Sequence, residues 1–200
     1  MIEREPSMQA DAWDFWFSPG MPEHPTQTVE GWEFTFPRYE GPLPCRTPVA
    51  HDCPRVEYLT TQAGPLSLGQ SIAMTVAISG SPEFRYKLEH ANTCDTPASV
   101  RLLIQRRDDD LTKEFHRWWS NPQAILLAEG QHTITVPLTP DQWSSVFGRK
   151  GGAAGGEFAN ALREAERIGM TFGGGCFFGH GVNVSGGEAT FTMKDFVVDQ

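Results

Sequence analysis

SIAMTVAISG, residues 71–80, decides the fold class. Ile72, Met74, Val76 and Ile78 alternate with small partners, and Gly80 ends the run. A period of two places one row of side chains on each face of a strand. The same period recurs on both sides. Upstream, GWEFTFP (31–37) alternates Trp32, Phe34 and Phe36 with Glu33 and Thr35, and RVEYLTT (55–61) is short and β-prone. Downstream, FRYKLEH (84–90) alternates Phe84, Tyr86 and Leu88 with Arg85, Lys87 and Glu89. SVRLLIQRR (99–107) sets Val100, Leu102 and Ile104 against Arg101, Leu103, Gln105 and Arg107. FHRWWS (115–120) follows, then QAILLAEG (123–130) and QHTITVPL (131–138) as a hairpin, and EATFTMKDFVV (188–198) closes the chain.

One stretch has the helical period. In EFANALREAERI (157–168), Phe158, Ala161, Leu162, Ala165 and Ile168 fall on one face, which predicts a surface helix over about 156–168. TPDQWSSVFG predicts a short helical turn with Thr139 as N-cap and Pro140 in its first position. About nine short strands and one helix predict an all-β chain, an antiparallel β-sandwich of jelly-roll type. Residues 1–30 are polar and proline-broken, with the aromatic knot WDFWF at 13–17, and read as an extended arm. Residues 31–200 read as a single sandwich domain.

Composition narrows the function classes. The 200 residues carry a net charge of −9, so a nucleic-acid surface or an anionic membrane is a poor match. No apolar run approaches the ~20 residues that span a bilayer. The first residues lack a cationic start followed by an apolar run, which reads as a cytoplasmic protein or a secreted one whose leader is removed. Cys45, Cys53, Cys94 and Cys176 allow three pairings. A Cys45–Cys53 bridge would close a short proline-rich loop, leaving Cys94 and Cys176 for each other or for solitary burial.

The stretch TFGGGCFFGHGVNVSGG (171–187) invites a phosphate-loop reading, but a helix precedes it and a strand follows. A phosphate cradle needs the reverse order. Strand, glycine turn, strand is the expectation, with Phe172, Phe177 and Phe178 in or against the core. His180 is the one side chain there that faces a ligand in this reading. The run Asp108-Asp109-Asp110 reads as a solvated turn or, with Asp108 and Asp110, as oxygen ligands for a structural calcium; Asp195 is a third candidate ligand.

FHRWWS carries the binding hypothesis. Adjacent tryptophans on a strand point to opposite faces. If Trp119 is inward with Phe115 and Arg117, Trp118 shares the outer face with His116; the opposite assignment stays open. An exposed indole stacks on the apolar face of a pyranose, and Arg or His side chains bond its hydroxyls. Trp118, Arg106, His116, Arg117 and His180 are the candidate ligand residues. No catalytic residues stand out, and GxSxG is absent.

The series SIAMTVAISG, SVRLLIQRR, QHTITVPLTPDQWSSVFG, a helix, IGMTFGG and ATFTMKDFVV resembles the galactose-binding-like jelly rolls of carbohydrate-binding modules, over about residues 30–198. The resemblance implies non-catalytic binding of a glycan or polysaccharide, with calcium, if bound, in a structural role. Two other classes stand beside it: a cytoplasmic protein-interaction module docking through the aromatic arm, and a polysaccharide-active enzyme with its acids on the concave face.

Overall fold

The computed structural model describes residues 6–41, 53–86, 96–175 and 178–199. Among them run fourteen strands: β1 (Trp13–Trp16), β2 (Thr26–Thr28), β3 (Gly31–Thr35), β4 (Tyr58–Gln62), β5 (Ser71–Ser79), β6 (Glu83–Tyr86) and β7 (Ser99–Arg106), then β8 (Arg117–Ser120), β9 (Ile125–Leu126), β10 (Gly130–Pro137), β11 (Trp143–Ser145), β12 (Ala165–Gly173), β13 (Val182–Ser185) and β14 (Thr190–Asp199). One α-helix, α1 (Glu157–Arg163), lies between β11 and β12.

All named pairings are antiparallel. The first sheet has the order β1-β4-β12-β7-β8-β11, with β9 also on β7; the second has the order β10-β5-β14-β3-β2; β13 and β6 form a ribbon. The architecture is an antiparallel β-sandwich compatible with a jelly roll. No described helix is long and apolar enough to cross a membrane.

The alternation that marks each strand also builds the core. On β5, Ile72, Met74, Val76 and Ile78 are buried and their partners are half-exposed. Aromatic rings join the sheets: Phe172 of β12 lies 5.9 Å from Phe34 and 5.6 Å from Phe191, both of the second sheet. Trp13 of β1 meets Trp32 at 5.0 Å and Phe196 at 5.1 Å. The aromatic stretch at 13–17 thus supplies core to its own chain.

Three local expectations are corrected. The helix ends at Arg163 rather than 168, because residues 165–168 pair with β7 and bury Ala165 and Ile168 in the sandwich. Residues 123–138 make no hairpin: β9 pairs with β7, whereas β10 crosses to β5 in the other sheet. Phe115 and His116 belong to a single 3-10 turn, Glu114–His116, ahead of β8. The turn Pro140–Gln142 forms as expected, with Thr139 in the N-cap position and Pro140 first, though Thr139 makes no side-chain cap bond. Cys53 is disulfide-bonded; Cys45, Cys94 and Cys176 lie outside the described residues, and so does the choice among pairings. Phe177 lies outside them too.

Candidate functional site

Strand parity sorts the first sheet into two unlike faces. Leu59, Ile104, Trp118, Ile168 and Met170 point into the sandwich. The other face carries Tyr58, Thr60, Arg101, Gln105, Arg117, Trp119 and Thr171, and all are buried. A buried polar face needs internal partners, and here they form a connected floor. Arg117 donates from Nη1 to the Tyr58 hydroxyl at 3.2 Å and from Nη2 to the Leu111 carbonyl at 3.1 Å. Its Nε lies 3.0 Å from Asp109 Oδ2. That contact is an ion pair without hydrogen-bond alignment, since Nε has no well-oriented acceptor. Asp109 Oδ2 also accepts from Gln105 Nε2 at 3.0 Å, and Oδ1 accepts from the Leu111 amide. The Asp108–Leu111 turn is pinned by these bonds with Asp108 and Leu111 both at positive φ. Leu111 is a residue type that seldom adopts that region, so the clamp holds local strain. Desolvation pushes the Tyr58 phenol up to about 12, against the lowering influence of Arg117.

Arg101 forms a second cluster. Its Nη1 donates to the Ser120, Pro122 and Gln123 carbonyls, and the Phe178 ring covers the guanidinium at 3.9 Å. Burial without a neighbouring carboxylate pulls its pKa down to about 10. Phe178 also meets Trp119 edge-on at 6.2 Å. The glycine turn therefore lays a phenyl ring over the polar face.

Where β1, β12 and the end of β7 come together, the face opens into a cleft of about 350 Å³, lined by Asp14, Trp16, Gln105, Arg106, Asp108, Asp109, Glu166 and Arg167. Local backbone builds it. On β1, Trp13 and Phe15 point inward, so Asp14 and Trp16 point to the cleft. The β12–β7 ladder slips between Ala165 and Arg167, leaving Glu166 as the extra residue. Such a bulge re-aims side chains, and both Glu166 and Arg167 line the cleft. Arg167 reaches across β4: Nε donates to Thr60 Oγ1 at 2.8 Å, and Nη2 bonds Asp14. Arg106 is ion-paired with Glu157 and Glu164 of the helix segment.

Among the described residues, two polar atoms of this wall have no hydrogen-bond partner. Gln105 is only 4% exposed, and its Oε1 is buried without a donor. Arg106 Nε is buried without an acceptor. An unmet acceptor and an unmet donor cost about 1–3 kcal/mol each, and both belong to residues that line the cleft.

The predicted ligand residues divide. Arg106 lines the cleft. Arg117 lies beneath it and holds Asp109. His116 stands near Glu164, whose carboxyl is lowered chiefly by the Arg106 hydrogen bond and charge and least by His116. His180 is exposed in the glycine turn, apart from the cleft-lining residues, and already makes an interaction there. Trp118 corrects the expectation. It is fully buried, opposite Ile104, donates Nε1–H to the Phe115 carbonyl and packs on Phe115 and Phe158. It offers no face to a sugar; the inward tryptophan is Trp118, not Trp119.

The carboxyls of the acidic run and of Asp195 have separate surroundings. The Thr112 hydroxyl and amide engage Asp110 and hold its carboxyl below the ordinary range, Asp109 turns inward, and Asp195 is exposed on β14 opposite Thr75. Among the described residues no three His, Cys, Asp or Glu side chains group as they would around a metal.

Sequence reasoning missed Trp16, Asp14, Gln105 and Arg167 as a group. Strand parity in WDFW was the available signal for the first two. Nothing local marks the others, which are 62 residues apart in the chain (167 minus 105). Compared with family models, with curated proteins and with solved structures, the chain finds no match.

Proposed function

We propose that the chain is a non-catalytic carbohydrate-binding sandwich, of the galactose-binding-like kind its layout resembles, with the glycan in the cleft between β1, β7 and β12. The observation that carries this reading is Gln105, a cleft-lining residue whose buried Oε1 has no donor among the described residues, on a wall that includes the half-buried indole of Trp16. A pyranose has matching chemistry: an apolar ring face for the indole and hydroxyls that donate to Gln105 and accept from Arg106 Nε. The volume suits one or two sugar rings rather than a long chain enclosed on all sides.

Affinity electrophoresis on polysaccharide gels, followed by a glycan array, tests the reading. Retardation by at least one glycan, lost in folded Trp16→Ala and Gln105→Leu variants, is expected. No retardation by any glycan, or retention of binding by both variants, overturns it. Four carboxyl groups on the same wall, those of Asp14, Asp108, Asp109 and Glu166, favour a second reading, cleavage of the bound glycan. Release of reducing ends by the purified protein would put that reading first.

A further inference from the structure

The charges around the cleft are unevenly satisfied, and that imbalance selects among glycans. Every cation on the wall is engaged: Arg167 by Asp14 and Thr60, Arg106 by Glu157 and Glu164. Asp109 is engaged by Arg117 from below. Asp108 and Glu166 line the wall with no cationic partner among the described residues. The buried Oε1 of Gln105 adds a third acceptor without a donor. The cleft thus presents surplus negative charge and surplus acceptors, with Arg106 Nε as the unmet donor. The chain's net charge of −9 extends the same sign outward and draws cations toward the opening.

We infer that the cleft prefers glycans bearing free amino groups, with neutral sugars next and acidic sugars excluded. A protonated 2-amino-2-deoxy sugar gives Asp108 and Glu166 the cation they lack, and its hydroxyls still satisfy Gln105. A uronate or sulfate would meet those two carboxylates, and both arginines of the wall are already paired with carboxylates. This inference rests on the proposed glycan reading and adds the ligand's charge to it. Two exposed ion pairs give a preference of roughly tenfold, reduced by salt.

Isothermal titration of the intact protein with three oligosaccharides tests it: a β-1,4-glucosamine oligomer, its fully N-acetylated counterpart and an oligouronate, in mildly acidic buffer at low and high salt. Tighter binding of the glucosamine oligomer, weakened by salt, supports the inference. So does loss of that preference in the double variant Asp108→Asn, Glu166→Gln. Equal binding of the amine and its acetylated form, or preference for the uronate, overturns the inference while sensitivity to Trp16→Ala keeps the glycan reading intact. No binding of any of the three, together with an empty glycan array, overturns both.

Discussion

Arg117 and Asp109 face each other at 3.0 Å beneath the cleft, their side chains 8% and 1% exposed. Neither charge has bulk water to fall back on, so each depends on the other. Removing one member of a buried pair costs about 3–5 kcal/mol, because the remaining charge is left uncompensated. Arg117→Met is therefore expected to lower the urea midpoint sharply. The double variant Arg117→Met, Asp109→Leu is expected to recover part of that loss. Equal destabilisation in the single and double variants would show that the loss comes from shape and not from charge.

Tyr58 predicts an alkaline signature. Its phenol is pushed up to about 12 in the fold, above the ordinary 10.0, mainly by desolvation. A folded-state pKa above the unfolded one contributes stability fully present below about pH 10 and lost as pH rises toward 12. The contribution is on the order of 2–3 kcal/mol. Tyr58→Phe removes the titrating group, so its stability should fall less steeply than that of the parent across this window. Denaturant titrations of both proteins at several alkaline pH values measure the difference, and parallel curves would contradict it.

Gly169 tests how tightly β4 and β12 approach. A Cβ there would sit 2.2 Å from the Leu59 carbonyl oxygen and 2.8 Å from Thr60 Cα, and the position has φ +157. Both obstacles are backbone, so neither can swing aside. Gly169→Ala is expected to destabilise the fold by several kcal/mol. Gly152→Ala meets nothing within 4 Å and serves as the comparison, with little change in thermal midpoint.

Trp118 and Trp16 should separate stability from binding. Trp118 is fully buried against Phe115 and Phe158, so Trp118→Ala should cost about 3–5 kcal/mol. Its folded fraction should bind glycan as the parent does. Trp16→Ala should show the reverse balance, with a modest stability loss and a large loss of affinity. Paired thermal melts and affinity gels distinguish the two outcomes.

Period-two alternation made most strands legible, because one face of each is buried in a single core. It made β5, β3 and the first half of β14 plain, and it placed the two tryptophans of β8 on opposite faces. Parity carries no sign, however. Which tryptophan is inward depends on the register Trp118↔Ile104, a pairing between distant segments. The helix was overextended for a related reason. Ala165 and Ile168 fit the helical stripe as well as they fit β12, and only the ladder to β7 decides between them. Of the cleft wall, Arg106 was legible as a ligand residue and Asp108 only as a candidate oxygen ligand for calcium. Asp14 and Arg167 meet there from opposite ends of the chain, and Glu166 joins them through a bulge that no local pattern announces.

The place of β14 within its sheet has a consequence for how the chain is made. That strand lies between β5 and β3 rather than at an edge. During synthesis β3 and β5 emerge long before the segment that separates them. Until residues 190–199 leave the ribosome, those two strands have unpaired backbone edges and an exposed apolar face between them. Closure of the second sheet is therefore a late event, and a nascent chain arrested before β14 would be a client for chaperones rather than a partly finished sandwich.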